Sequence, residues 1–406
     1  MDKHSMSSRF RDAIKFFASV RGDLANITAP PFFLAPSSVV EQGHCWAQRP
    51  NVFAAPAREA SAERRSLLVL RLVLIAMKSQ FYIGATPHVG IRKPLNAFLG
   101  ELFLASWSEP SPDDKVLPRA PATTTAELVA EQVSHHPPIT AMHIVDRQNG
   151  IRADGYARVE MTFAGSVHVR QLGHAVVHID RFDEDYLVPL PDVTVHGFLA
   201  GRVYPDMVGA TYSIVASSGF VSELRFAGAG LFRGRRNAFG ARMYHRDDPA
   251  RQTLYEVDGV WSEGWTVRDG RTGAVVETYA VDAPENGPAP MDVRPVGEQD
   301  AWESRRAWAG VLDALERGNF HETVQEKTKV EQAQRRMRAQ EAQRGHVWQP
   351  LFFRSMPGQD HAVFHRLAAG TPWKLHDDRT QGVWRVDEAK LAAAQRPFRG
   401  GLTPLG

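Results

Sequence analysis

The spacing of apolar and polar residues divides this chain of 406 residues into a helical beginning, a long stretch of strands and a helical end. In residues 7–21, Phe10, Ala13, Ile14 and Phe17 recur on one helical face, with Arg9, Arg11, Lys15 and Arg21 opposite and only Asp12 against them. Ser7 or Ser8 suits the cap and Gly22 the left-handed stop. Such a short basic amphipathic helix is either a docked surface helix or an interfacial lid that touches anionic lipid. Prolines 30 and 31 then stiffen an extended apolar segment through Leu34. Residues 61–82 are apolar almost all round and rich in helix formers, which predicts a buried helix.

From about residue 98 to 282 the period changes to that of strands. Val167 and Val169 alternate with polar residues, Val257 to Val267 is rich in Val and Trp, and Asn149-Gly150 and Asp269-Gly270 are hairpin turns. Gly228, Gly230, Gly234 and Gly240, interleaved with Phe226, Phe232 and Phe239, predict strands that bend or approach closely. No strand–helix alternation occurs here, so a parallel α/β sheet is disfavoured and a large antiparallel barrel or curved sheet fits best. Proline and glycine at 284–290 mark a linker. Helices are predicted at about 300–317, stopped by Gly318, and 321–344, stopped by Gly345. In the second, Lys327, Glu331 and Arg335 form nearly one stripe, which by itself reads as a solvated face.

Composition adds mostly exclusions. Hydrophobic content of 43% and charged content of 23% are those of an ordinary globular protein, and a net charge of +2 gives no argument for nucleic acid. A single cysteine, Cys45, rules out an internal disulfide and favours a reducing, cytoplasmic setting. There are 16 histidines but no C-x-x-C or H-E-x-x-H, so no metal or cofactor is expected. The N-terminus shows no signal-peptide pattern. The longest apolar run, Leu67 to Met77, is broken by Arg71 and falls short of the ~20 residues that cross a bilayer. Any meeting with a membrane is expected to be peripheral and transient.

One stretch stands out: Glu131-Gln132-Val133-Ser134-His135-His136-Pro137-Pro138. Proline removes a donor and pushes the residue before it toward extended geometry, so the histidine pair belongs on a strand end or stiff turn. On local chemistry this is either a proline-stiffened loop or a site that aims two imidazoles.

The segments around that motif settle its meaning by resemblance. GDLANITAPPFFLAPSSVVE at 22–41, KSQFY at 78–82, KPLNAFLGELF at 93–103, RQLGH at 170–174 and ESRRAWAGVLDALERGNF at 303–320 stand in order around EQVSHHPP. Together they resemble the lipid-binding domain of the oxysterol-binding protein family, in the short form of its yeast-type single-domain members, over roughly residues 8 to 350. The resemblance implies a mainly β fold with α: a large, near-closed antiparallel β-barrel around a lipid tunnel, an N-terminal lid, and helices packed outside. It divides one lipid-binding domain into a lid at 1–29, a helical part at 30–110, the barrel at 111–285, and a C-terminal helical subdomain and tail at 286–406.

By the same resemblance the chain binds phosphatidylinositol 4-phosphate and a sterol, one at a time in one tunnel, and exchanges them between membranes as a monomer that catalyses nothing. The phosphoinositide headgroup would be held by Lys93, Asn96, His135, His136, Lys327, Glu331 and Arg335. Leu24 and Ile27 resemble the lid contacts, and Trp46, Gln80 and Gln171 the polar groups deep in the tunnel. The chain departs from the family at Phe81, where a tyrosine is expected, and at Ala157, where an asparagine is expected.

Elementary chemistry supports the headgroup set. A phosphomonoester carries close to two negative charges; Lys93, Lys327 and Arg335 supply opposite charge, and a histidine near pH 7 gains a proton as a dianion approaches. Glu331 would repel phosphate, so it orients a cation or accepts from an inositol hydroxyl. The tunnel follows from a magnitude: each methylene removed from water is worth about 0.8 kcal/mol, so a lipid leaves a bilayer only for a comparable apolar surface. A buried sterol hydroxyl without a partner costs a few kcal/mol, and the losses at Phe81 and Ala157 put that end in question. Three rival readings stay open: exchange against a non-sterol lipid, a sensor that binds without transporting, and a hydrolase using His135, His136 and Glu131. Against the last, no third ligand has recognisable spacing and no G-x-S-x-G occurs.

Overall fold

The computed structural model describes residues 29–85, 90–112, 122–197, 203–207, 211–227, 235–357 and 361–406. Leu24, Ile27 and the basic helix of 7–21 lie outside them, as do Gly228, Gly230, Phe232 and Gly234.

β1 (Leu34–Ser38) pairs in parallel with β2 (Lys93–Leu95). Between them run α1 (His44–Ala47), α2 (Pro50–Arg58) and α3 (Ala62–Phe81). The expected buried helix at 61–82 is α3, with the Ser61 side chain accepting from the Arg64 N–H at its start. An antiparallel meander follows: β3 (Leu102–Pro110), β4 (Thr123–His135), β5 (Pro138–Asp146), β6 (Ile151–Phe163), β7 (Val167–Ile179) and β8 (Glu184–Pro189). The short pair β9 (Val193–His196) and β10 (Tyr204–Asp206) branches from β7. The meander resumes with β11 (Thr211–Ala216), β12 (Phe220–Ala227), β13 (Ala238–His245), β14 (Tyr255–Val260), β15 (Gly264–Asp269) and β16 (Val275–Ala280), while β17 (Met291–Asp292) adds to β3 at the other edge.

These fifteen strands form one sheet, thirteen of them in the order β16–β15–β14–β13–β12–β11–β8–β7–β6–β5–β4–β3–β17 with β9 and β10 off that path. The Asn149-Gly150 and Asp269-Gly270 turns lie where expected, joining β5 to β6 and β15 to β16. Its curvature is visible in its core, because α3 packs with strands from both ends: Val69, Val73 and Met77 join one cluster with Phe103, Ile144, Val177, Trp261, Trp265 and Tyr279. Polar ties fix the helix there, Arg65 to Glu184 on β8 at 2.6 Å and Arg71 to Glu277 on β16 at 3.3 Å. The glycine expectation holds elsewhere than predicted. At Gly240 no neighbour lies within 4 Å of an added Cβ, whereas at Gly259 the Gly264 carbonyl would stand 2.3 Å away.

Beyond the sheet come α4 (Ser304–Ala307), α5 (Ala309–Glu316) and α6 (Phe320–Gln343). The predicted helix at 300–317 is therefore two, parted at Trp308. That indole is buried and donates to Glu101 Oε2 at 2.9 Å, so tertiary packing overrides helical continuity. Gly318 and Gly345 follow α5 and α6 with φ of 68° and 64°, as their predicted role requires.

The C-terminal region forms a second layer on the outer face of the sheet. β18 (Phe353–Met356) pairs with β19 (Val383–Val386), and α7 (Ala362–Ala368) lies between them in sequence. Phe352, Phe353, Val383 and Trp384 pack with Val133, Ile139, Ala141 and Tyr156; Phe364 and Leu367 pack with Val176, Leu187, Val215 and Tyr244. Neighbouring residues such as Val176 and Val177 thus enter different cores, because successive side chains on a strand face opposite ways.

Candidate functional site

On β4 the even positions Ala126, Leu128 and Ala130 face the inner core, and Gln132 continues that side into a cavity. A bulge then shifts the register between Gln132 and Ser134. An extra residue in one strand reverses which parity faces in. His135, an odd position, therefore lines the cavity, and Val133 joins the outer cluster. The strand ends at His135 and β5 begins at Pro138, so His136-Pro137 is the whole hairpin loop, with a cis peptide between them. The turn brings the two imidazoles edge to face, 4.7 Å between centroids. His135 is half-buried and its Nδ1 lies 3.0 Å from the Ala97 carbonyl oxygen; His136 is exposed. Burial holds the His135 pKa below the ordinary imidazole range, helped by His136 and Arg338 and opposed by the Ala97 bond and Glu331.

The cavity behind His135 has a volume of about 290 Å³ and walls that are mostly apolar, from β5, β6 and β7 on one side and α1 and the end of α3 on the other. Lys93 and Asn96 line it beside His135 and hydrogen bond to each other. Lys327 and Glu331 form an ion pair one helical turn apart on α6. That helix is set alongside the motif by Val330 and Met337, which share a core with Val133 and Ile139. Arg335, on the same helix, is exposed. Three of the seven expected headgroup residues, Lys93, Asn96 and His135, thus line the cavity. His136 packs edge to face on His135, Glu331, paired with Lys327, is near enough for its charge to act on His135, and Arg335 is exposed.

Of the expected tunnel residues, Trp46, Gln80, Phe81, Ala157 and Gln171 all line the cavity. Phe81 meets Trp261 edge-on at 5.9 Å, and the Gln171 amide donates to the Pro191 carbonyl at 2.5 Å. The cavity also takes polar residues that sequence reasoning passed over. Gln42 and Arg92 line it, and the Gln42 Oε1 and Arg92 Nε are buried with no hydrogen-bond partner among the described residues. Thr140 donates to Gln132, which in turn donates to the Ser134 carbonyl, so those two are spent on the bulge. Arg92 had a signal, since it directly precedes Lys93 in the matching segment; Gln42 had none beyond lying one residue past the 22–41 match.

Glu131 does not belong to the site. It is fully buried on the outer side, where its two oxygens accept the N–H groups of Leu351 at 2.7 Å and Phe352 at 2.8 Å, with Arg399 at 3.6 Å. The hydrolase reading that used it as a partner of the histidines is thereby corrected: a carboxylate committed to two backbone donors is a clamp. Glu101 acts alike, accepting from Ser304, Trp308 and the Phe98 N–H at 2.7, 2.9 and 3.0 Å, while burial pushes its pKa up to about 7. Among the described residues no helix is long and apolar enough to cross a membrane.

Comparison with known proteins agrees with this geometry. The family model "Oxysterol-binding protein" matches residues 13–310. The chain is 43% identical over 396 residues to the probable transporter efuK of Hormonema carpetanum, covering 97% of this chain and 54% of that protein, so it spans about half that relative's length. It is 32% identical over 355 residues to protein kes1 of Schizosaccharomyces pombe, covering 86% and 88%. Among solved structures, the Osh1 ORD domain in complex with cholesterol is similar with a TM-score of 0.64 at 20% identity, covering 88% of this chain and 89% of that one. The Osh3 ORD of Saccharomyces cerevisiae in complex with PI(4)P is similar with a TM-score of 0.63 at 17% identity, covering 89% and 95%. At such identities the likeness speaks for the fold.

Proposed function

Since this chain belongs to the oxysterol-binding protein family, we propose that it binds phosphatidylinositol 4-phosphate and a sterol, one at a time in the cavity described above, and exchanges them between membranes. No bond is made or broken. The observation that carries the reading is the junction of two chemistries: an apolar cavity is lined also by Lys93, Asn96 and His135, and the charge of Glu331, paired with Lys327, acts on His135. The acyl chains or sterol body would fill the apolar part, and the phosphomonoester would meet the cations and imidazoles at the mouth. Burial keeps His135 neutral near pH 7, and the approach of a dianion raises its pKa, so binding takes up a proton and strengthens as pH falls. Arg335 would turn inward on binding. The protein acts as a monomer that touches membrane surfaces transiently from the cytoplasm.

The test is transfer between two liposome populations, one loaded with phosphatidylinositol 4-phosphate and the other with sterol. Counterflow of the two lipids that depends on both being present supports exchange. Binding of both without net transfer replaces the carrier with a sensor. A second reading, a non-sterol lipid in place of sterol, is favoured by Phe81 and Ala157, which bring no hydrogen-bonding group to the wall. Native mass spectrometry of lipids carried by the purified protein decides between them.

A further inference from the structure

The cavity wall before α2 carries a polar group that the fold leaves unanswered. A 3₁₀ helix at Val39–Gly43 runs directly into α1. Val39, Gln42, Cys45 and Trp46 recur along it at helical spacing, and all four line the cavity. Gln42 thus sets an amide within a largely apolar face, and its Oε1 is buried with no hydrogen-bond partner among the described residues. Other polar side chains of the cavity are already committed. Thr140 donates to Gln132 at 2.6 Å, Gln132 to the Ser134 carbonyl at 2.9 Å, and Gln171 to the Pro191 carbonyl at 2.5 Å. A buried carbonyl oxygen without a donor is costly, so its partner is to be sought in what fills the cavity.

The amide stands on a fixed support. Beside it, Glu41 accepts the Ser38 N–H at 3.1 Å and Arg305 Nη2 at 2.9 Å, and the Glu41 carbonyl lies 2.8 Å from His44 Nδ1. Gly43 lets this helix close on β4 and β5: an added Cβ would stand 2.8 Å from Leu128 Cδ1 and 3.3 Å from Met142 Sδ. Farther along, Gln48 donates to Ser79 at 2.7 Å and ties the segment to the end of α3, where Gln80 and Phe81 line the cavity. Gln42 therefore shares a wall with Phe81, which brings no hydrogen-bonding group. We propose that Gln42 is a specificity-determining residue of the cavity: its carbonyl accepts a hydrogen bond from an alcohol on the bound apolar lipid, which Phe81 and Ala157 cannot do. The inference rests on the reading of the cavity as a lipid site and deepens it by naming the ligand class, a lipid alcohol. A hydroxyl donates as well as accepts, so it pairs with an amide through either end.

Sterols and diacylglycerols both present a hydroxyl on an apolar body, and the experiment takes them separately. The full chain is incubated with liposomes containing cholesterol or its methyl ether, and in parallel 1,2-dioleoylglycerol or its acetate; lipid carried into solution is counted by mass spectrometry. The parent is expected to take up one of the two alcohols about tenfold better than its capped form. Gln42→Met, similar in length but without an amide, is expected to lose that preference by weakening uptake of the alcohol alone. Gln42→Asn, which draws the amide back by one methylene, is expected to keep part of it. The melting temperature of the delipidated protein separates this from a role in the fold: Gln42→Met removes an unanswered carbonyl, so no drop is expected, and a clear drop overturns the inference. A preference undiminished in Gln42→Met, or a parent that takes up cholesterol and its ether equally and shows no preference for the diacylglycerol, also overturns it while leaving the sterol reading standing. Uptake of neither sterol overturns the sterol half of that reading, and the diacylglycerol pair then decides the inference by itself.

Discussion

The sheet is apolar on both faces, and the two faces do different things with the same kind of residue. On the inner face, β5, β6 and β7 leave a gap between themselves and α3, and that gap is the cavity. On the outer face, Val176, Leu187, Val215 and Tyr244 meet Phe364 and Leu367 of the C-terminal layer and pack with them into one cluster. Packing to interior density is the default for apolar surface; a cavity persists where rigid elements hold the walls apart. Here polar ties hold the surrounding elements in place, Arg65 at the start of α3 to Glu184 and Glu101 to α4 and α5. The motif at 131–138 spans both faces. Its glutamate serves the outer one and its first histidine the inner one, with a bulge between to turn the strand over.

Breaking each face separately tests that division. His135→Ala/His136→Ala is expected to cost 100-fold or more in extraction of phosphatidylinositol 4-phosphate from liposomes, about 2.7 kcal/mol, while the melting temperature moves only slightly. A large loss of stability there would mean that the pair serves the fold first. Glu131→Ala is expected to do the reverse. It strands two buried backbone donors and an arginine, costing about 2–4 kcal/mol of stability by chemical denaturation and opening residues 346–406 to protease. If the variant is as stable as its parent, the outer layer is held by other means.

The smallest of these effects depends on pH. His174 is fully buried beneath the C-terminal layer, in contact with Phe364 at 4.9 Å and with Tyr156 at 5.1 Å. Burial, then the Arg385 and His361 charges, pushes its pKa down from 6.5 to about 3. The fold favours the neutral ring, so this contribution is present in full above pH 6.5 and is lost as pH falls toward 3. The slope from this one proton is at most about 1.4 kcal/mol per pH unit. Denaturation at pH 7 and pH 5 should show the loss in the parent and a smaller one in His174→Phe; equal losses in both would place the acid sensitivity elsewhere.

Much of this was legible in the residues, and what was not has definite physical causes. Periodicity located α3, α6 and the antiparallel strands, and the left-handed glycines 318 and 345 marked two helix ends. The matched segments brought together Lys93, Asn96 and His135, which are distant in sequence from Lys327 and Glu331. The outer layer went unread because its short β18, β19 and α7 carry too few turns of any period, although doubly apolar runs such as Ala175-Val176-Val177 and Tyr186-Leu187-Val188 already implied a cover. Glu131 entered only the rival hydrolase reading, because a motif names its residues without saying which way each points.

The two-layer arrangement also has a consequence for how the molecule comes into being. Residues 350–406 are translated after every strand of the main sheet. At about 5–20 residues per second, the sheet waits several seconds for its cover. During that interval Val176, Leu187, Val215, Val221 and Tyr244 present a continuous greasy wall to solvent, and the Leu351 and Phe352 amides that Glu131 awaits are not yet made. The nascent chain is thus most adhesive between completion of the sheet and arrival of residues 350–406, and holdase chaperones that recognise apolar surface would find their substrate in that window, before α7 and the β18–β19 hairpin close over it.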